Sequence, residues 1–451
     1  MPTRSLTAAL LLVGGLIATG CRSKPPEVAV APAPLDDSSA AALRWIDAHV
    51  SPASTVDSGD TAADRTALLG FVGNARIFGI SELAEGAHEF PLLVRRIVHV
   101  LAAGAGFRGL AVQAQMPEAM ELDRYVRTGV GSPRQWLRAL GPHWDTQEVL
   151  DLVDWMRDFN RGRPSSDQIG FYGFEVPSAA HAVQVVTSLP DSVTGAALKR
   201  WLIRELGCVA VGEGAAWGRG GFASDSTFWN RCGIVAATAA DSLAALRSRL
   251  GSSPSSGSVA FAEQMARLLQ HYVTIGLRKL PRHETVAEHV LWLADNLGPS
   301  GKLIVWGRDV ESGRLTLGGT TVQSAVPVAA RLGDRYRNAA FTIGEGVIRA
   351  RPVSPGREPG DERNLRVRMP SSGSYEDILN RARFDAFVVD LRSLPSDTAG
   401  GWLRGPHPMR LISGVYTPDV PNAFETPIEF PAYYDGILFV RRVTPATPLK
   451  H

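Results

Sequence analysis

The chain reads as an α/β protein with a largely parallel central sheet flanked by helices and an inserted helical subdomain. Two observations lead there. Seven short runs rich in β-branched and aromatic residues alternate with segments of helical periodicity, the pattern of strands joined by helical crossovers. Four of those runs are followed at once by acids, amides or an arginine, as expected where the carboxyl ends of neighbouring parallel strands deliver side chains to one rim.

The strand-like runs are "ARIFGI" (75–80), "FRGLAVQ" (107–113), "QIGFYGFEV" (168–176), "KLIVWG" (302–307), "AAFTIG" (339–344), "FDAFVVDL" (384–391) and "YDGILFVRRV" (434–443). After the first run a helix is expected near His88. Phe90, Leu93, Val94, Ile97, Val98 and Leu101 recur on one face, and Pro91 is tolerated only in a first turn. That helix should stop at the Gly104/Gly106 pair, leaving Glu82 and Glu85 in the loop before it. A second clear helix spans 258–279, with Phe261, Met265, Leu268, Leu269, Tyr272 and Ile275 on one side. Residues 177–298 are mostly helical in pattern, interrupted by glycine-rich 212–222 and serine-rich 252–258. They are expected to cover one face or end of the sheet.

The 451 residues are 45% apolar and 20% charged, an ordinary globular composition. With 47 basic and 45 acidic residues, the formal charge of +2 gives no electrostatic reason to expect nucleic acid as a partner. The N-terminus says more. Arg4 precedes the apolar run Leu6–Ile17, which has the order of an export signal and is too short for an ordinary spanning helix. The run leads into Ile17-Ala18-Thr19-Gly20-Cys21, which resembles a bacterial lipobox whose cysteine is lipidated. Residues 1–21 are thus expected to be a signal peptide, and 22–40, rich in Pro, Ala and Ser, a flexible tether to a domain over 41–451. Arg22 after the cysteine favours the outer membrane, facing the periplasm, with membrane contact through the lipid alone. Beyond Cys21 only Cys208 and Cys232 remain; in an oxidising compartment a disulfide and two buried thiols both stay open.

The candidate site is read from the strand ends. Glu82 and Glu85 follow the first run, Gln113 and Gln115 the second, Glu175 the third, and Arg308, Asp309 and Glu311 the fourth. Such convergence builds a polar site for a small molecule on an apolar scaffold. His283 and His289 are six apart, not the spacing of a zinc helix. His143, His181, His271 and His407 are scattered and read as core or surface histidines. There is no GxSxG elbow, Walker loop, GxGxxG after a strand or CxxC, so neither a serine nucleophile nor a nucleotide cofactor is supported, and no cofactor or metal is expected.

The blocks "GISELAEGAHEF", "GLAVQAQMPEAMELDRYV", "HWDTQEVLDLVDWMRDFNRG", "IGFYGFEV", "RHETVAEHVLWLADNLGPSGKLIVWGRD" and "YDGILFVRRVTPATPL" resemble, in order and spacing, those of the erythromycin esterase family, from about residue 70 to about 448. The resemblance implies hydrolysis of a macrolide lactone ester by an activated water, without a covalent serine or an obligatory metal. In the family's G-E-x-x-H-G block, Glu82 occupies the Glu position, Glu85 the His position, and Gly86 follows. Val94 stands where the family has Arg, with Arg95 and Arg96 just beyond, and Gln113 where the second strand ends in an acid. The W-A-H-N-x-H block is Trp306-Gly307-Arg308-Asp309-Val310-Glu311.

Imidazole, with a pKa near ~6.5, suits proton abstraction at neutral pH, whereas a carboxyl near ~4.3 needs desolvation or a neighbouring carboxylate to match it. Three readings follow. In the first, Glu85 with Glu82 activates water and Arg308 stabilises the oxyanion, with Glu311 and Gln113 in the catalytic set and His88, Gln115, Glu175 and Asp309 binding substrate. The second is a protein that keeps the cleft and binds without catalysis. The third is a metal-dependent hydrolase using Glu82, Glu85, Glu175 and Glu311 as oxygen ligands, disfavoured by Arg308 among them.

Overall fold

The seven expected strands pair in one sheet with three further ones, Ser51–Pro52, Arg363–Val367 and Val415–Tyr416. In chain order they are β1 (Ser51–Pro52), β2 (Ile77–Glu82), β3 (Gly109–Gln115), β4 (Gly170–Glu175), β5 (Leu303–Arg308), β6 (Tyr336–Pro352), β7 (Arg363–Val367), β8 (Ala386–Asp390), β9 (Val415–Tyr416) and β10 (Gly436–Val443). This computed structural model describes all residues except 1–32, 54–61, 176–178, 211–221, 223–224, 298–300, 309–310, 315, 318–319, 322 and 355. Cys21 and Asp309 lie outside the described residues, as do most of the expected tether and all of the expected signal peptide.

The sheet order is β1-β8-β10-β6-β2-β5-β3-β4, with β7 and β9 pairing on the long β6. From β10 to β4 every neighbour is parallel, while β1, β8 and β7 pair antiparallel. The four strands that carry the candidate side chains, β2, β5, β3 and β4, are therefore consecutive and point the same way.

Both faces of the central strands are covered, as parallel strands require. All six residues of β2 are buried. Successive side chains divide between two cores. Phe78, Ile80, Ile304 and Trp306 join a cluster with α2 (Ala62–Val72), α3 (Glu89–Gly104), α4 (Met116–Thr128), α5 (Pro133–Leu140) and α6 (Gln147–Asn160). Ile77, Leu303 and Val305 join a second cluster with α7 (Ala179–Thr187), α8 (Ala196–Ala210), α9 (Ser226–Leu250), α10 (Ser256–Gly276) and α11 (Arg282–Asp295). The described helices of the stretch 177–298 thus form a layer on one face of the sheet. Its expected apolar stripe is the buried side of α10: Met265, Leu268, Leu269 and Tyr272 are each fully buried.

Several boundaries differ from expectation for identifiable reasons. Glu82 is the last residue of β2 rather than part of the following loop, because the parallel ladder continues to a Glu82–Arg308 pair. Strand β6 runs far beyond 344: its second half pairs with β7 and β9, where half-exposed alternation hides it in the sequence. The first helix, Asp37–His49, begins inside the stretch read as tether, because the Asp36 carboxylate accepts the Ser39 N–H at 2.7 Å as an N-cap. Residues Leu35–His451 form one compact unit. No helix among the described residues is long and apolar enough to cross a membrane.

Cys208 of α8 and Cys232 of α9 form a disulfide, with Cα atoms 5.9 Å apart. The bridge closes a segment that contains the glycine-rich interruption, and a crosslink over a separation of 24 residues contributes roughly 3 kcal/mol by restricting the unfolded chain. Replacing both cysteines by serine is expected to lower the unfolding free energy of the oxidised protein by about that amount. Equal denaturant midpoints for the double variant and the oxidised parent would refute the crosslink's role.

Candidate active site

Glu82 arrives at the rim because β2 ends there, and it is 1% exposed. A buried carboxylate needs partners, and Glu82 has two: the Trp306 indole N–H donates to Oε2 at 3.1 Å, and His143 Nε2 lies 3.4 Å from the same oxygen. Trp306 lies on the adjacent strand β5, so the register that pairs Ile80 with Trp306 also supplies the donor.

The segment after β2 is pinned on both sides. Leu83 N–H donates to Phe341 O at 3.0 Å, Ile412 N–H to Leu83 O at 2.8 Å, and Glu85 N–H to Ile412 O at 2.9 Å. Gly86 follows with φ +87°, and a Cβ on it would sit 2.0 Å from the Arg349 carbonyl oxygen. Only glycine fits both the left-handed conformation and that approach. The Gly86 carbonyl in turn accepts Arg349 N–H and Ala446 N–H at 2.9 and 3.0 Å. Glu85, 4% exposed, is thereby aimed at the same place as Glu82.

What fills that place is His143. Helix α5 ends at Gly141, φ +106°, and the turn Pro142-His143-Trp144 follows, closed by Trp144 N–H to Gly141 O at 3.0 Å. Thr146 then caps α6 by accepting from Val149 N–H at 3.4 Å, and Gln147 N–H donates to Thr447 O at 2.8 Å. The fully buried Trp144 ring packs edge-on against Trp306, centroids 4.9 Å apart. The His143 ring packs edge-on against Trp144 at 4.5 Å. His143 Nδ1 lies 3.4 Å from Glu85 Oε2, so each ring nitrogen faces a different carboxylate. Burial alone would push this imidazole down, but the Glu82 and Glu85 carboxylates outweigh it and raise its pKa to about 9. His143 is therefore an imidazolium at neutral pH.

Arg308, opposite Glu82 across the β2–β5 ladder, brings Nη1 to 3.9 Å from Glu85 Oε2. Gln113 sits where β3 shifts register, and its Oε1 accepts Arg308 N–H at 2.7 Å. Its place is thus to fix the end of β5. Glu82, Glu85, His143 and Arg308 line a cavity of about 210 Å³ that also takes in Arg349, Arg351, Glu362 and Gly414. Beyond His143 a second hollow of about 190 Å³ is lined by Gln113, Gln115 and Glu175, again with Arg308.

Two expected site residues lie elsewhere. His88 lines neither hollow; its Nδ1 pairs with Glu148 at 2.6 Å, and Glu148 also accepts Thr447 N–H. As the N-cap residue of α3 it points to the C-terminal segment instead of the rim. Glu311 also lines neither hollow, because Ser324 Oγ donates to it at 2.6 Å and Arg282 Nη1 lies 3.4 Å away. Arg282 simultaneously holds Glu175 through both its Nε, at 3.1 Å, and Nη2. The expectation that His143 is a scattered core or surface histidine is corrected by its position between two carboxylates. No strand end marks it, since it lies in a helix–helix connection. The local signal was the Gly-Pro-His-Trp turn directly before the Thr146 cap. Among the described residues no group of three or more His, Cys, Asp or Glu side chains is placed to hold a metal ion.

The raised pKa has a definite sign in stability. The folded protein binds the His143 proton more tightly than the unfolded chain, so the contribution is complete below about pH 6.5 and is lost as pH rises through about 9. Relative to His143→Gln, the parent's stability advantage is expected to shrink by a few kcal/mol between pH 6 and 10. Denaturant melts of both proteins across that range check it; a pH-independent difference would contradict the charged imidazole.

Comparison with known proteins agrees with this architecture. The chain is 19% identical over 438 residues to the putative hydrolase YbfO of Bacillus subtilis, covering 90% of this chain and 92% of that one. Among solved structures, a Bacillus cereus protein is 24% identical with a TM-score of 0.79, covering 92% of this chain and all of that one. A succinoglycan biosynthesis protein is 18% identical with a TM-score of 0.78 and the same coverage. A variant of the erythromycin esterase EreC in its open conformation is 16% identical with a TM-score of 0.64, covering 87% of this chain and 97% of that one. At these identities the structures show the common fold, with its parallel sheet and flanking helices. The erythromycin esterase family model matches residues 103–443, most of the chain, and on that match the chain belongs to the erythromycin esterase family.

Proposed function

We propose that the protein hydrolyses a carboxylic ester or lactone with an activated water. The observation that carries this reading is His143, held with one ring nitrogen 3.4 Å from Glu82 and the other 3.4 Å from Glu85 at a cavity that Arg308 also lines. Glu85 takes a proton from water as the water oxygen attacks the carbonyl carbon. The carbonyl π pair moves onto oxygen, where the Arg308 guanidinium stabilises the developing charge. As the adduct collapses, the C–O bond to the alcohol breaks and the leaving oxygen takes a proton from the His143 imidazolium. The proton on Glu85 then returns to His143, giving acid and alcohol from ester and water. Glu82, fixed by the Trp306 indole, keeps the imidazole oriented and charged. The reading agrees with membership of an esterase family. A cavity of about 210 Å³ is below the ~300–1,000 Å³ of sites that enclose drug-sized ligands. It suits the reacting group of a larger substrate, or a small ester, better than a whole macrolactone.

A second reading rests on the same contacts. Glu85 already faces both His143 and Arg308, a closed ion-pair network that would bind a ligand without turning it over. The full chain incubated with a panel of macrolides and simple esters separates the two. Glu85→Gln is expected to lower kcat by about 10²–10⁴-fold, the range for loss of a general base, with a smaller change in KM. Ligand binding without turnover by the parent would leave the binding reading standing alone.

The N-terminal sequence supports export and lipid anchoring at Cys21, facing the periplasm. Metabolic labelling with a fatty-acid analogue is expected to mark the parent and not Cys21→Ser. Equal labelling, or none in the parent, would overturn the anchor.

A further inference from the structure

The hollow beyond His143 is not accounted for by the steps above. It shares Pro142, His143 and Arg308 with the Glu82–Glu85 cavity, so the two hollows meet at those residues. An ester also has two arms. Glu85, which would activate the water, lines only the first compartment, whereas the leaving oxygen must reach His143, which borders both. In the proposed hydrolysis, with the water beside Glu85, the arm directed past His143 is taken as the alcohol.

The lining of the second hollow says what kind of alcohol. Gln115 Oε1 and Arg308 Nε are buried polar atoms without a hydrogen-bond partner among the described residues. Leaving such an acceptor or donor unmatched in a buried site is costly. Glu175, paired with Gln115 across β3 and β4, is held in place by Arg282 and presents further acceptor capacity. A hydrocarbon arm would leave these groups unmatched; a carboxylate arm would satisfy the Arg308 Nε–H but leave the Gln115 oxygen without a donor and set a second carboxylate beside Glu175. A hydroxyl donates to one and accepts from the other.

We infer that the hollow lined by Gln115, Glu175 and Arg308 is the subsite for the leaving alcohol and that this alcohol is neutral and hydroxylated, of polyol or sugar type. The inference takes its direction from the proposed hydrolysis. Gln115 is then a specificity-determining residue.

The test compares monobutyrin with n-propyl butyrate, esters with one acyl group and a three-carbon alcohol with or without hydroxyls. In Gln115→Met, a near-isosteric variant whose fold is checked by thermal melting, the ratio of kcat/KM for monobutyrin over propyl butyrate is expected to fall roughly tenfold. An unchanged ratio, with both esters affected equally, overturns the subsite. Saturation-transfer NMR with methyl glucoside gives a readout independent of turnover: binding to the parent that is lost in Gln115→Met supports the subsite. Such binding with neither ester turned over would sink the hydrolase reading while leaving the subsite intact. Glucoside binding that survives the substitution counts against it.

Discussion

The site depends on one electrostatic constraint: two carboxylates, each less than 5% exposed, meet at the end of a parallel sheet with a single imidazole between them. Two buried like charges at such range are tolerable only with a cation between them, and removing that cation leaves an uncompensated buried charge, typically 3–5 kcal/mol. The His143 pKa of about 9 expresses the same constraint from the side of the proton. Arg308, more exposed and farther from Glu85, is a second and weaker source of positive charge, screened by water. The buried imidazolium thus holds the carboxylates together, and the guanidinium is the more accessible of the two cations.

Much of the surrounding architecture serves to hold that triad. The Trp144–Trp306 pair locks the α5–α6 connection onto strand β5, and the Trp306 N–H fixes the Glu82 oxygen that His143 also approaches. The segment carrying Glu85 is hydrogen-bonded to the 411–414 segment on one side and to Arg349 and Ala446 on the other. Gln113 holds the end of β5 through the Arg308 N–H. Polar networks of this kind specify geometry because each unmatched member is costly in a low-dielectric interior. The price in sequence is a glycine at 86, where any side chain would collide with backbone.

The site was partly legible beforehand. Glu82, Glu85, Gln113 and Arg308 could be found because strand ends in a parallel sheet are a fixed address: a short apolar run locates the strand, and the residue after it locates the rim. Gln115 and Glu175 were placed by the same rule and line the second hollow. The rule overreached at Glu311 and His88, one held by Ser324 and Arg282, the other by Glu148. Once past the strand end, a side chain's direction is set by the turn and by whichever partner is nearest. His143 carries no such mark, for the opposite reason. It comes from a connection between helices, and nothing in its neighbours states that this connection folds back over the sheet.

Hydrophobic periodicity and block order are local properties of the chain, and from them the α/β class, the seven principal strands, the mainly helical character of 177–298 and the family can be read without coordinates. That His143 stands between Glu82 and Glu85, that Cys208 meets Cys232 and that Arg282 joins Glu175 to Glu311 follows from the folded arrangement alone. Each of these pairs residues far apart in the chain, and such meetings are fixed by strand order and by the packing of helices on the sheet. The ionisation of His143 belongs with them, since a proton affinity is set by the charges that folding brings near it.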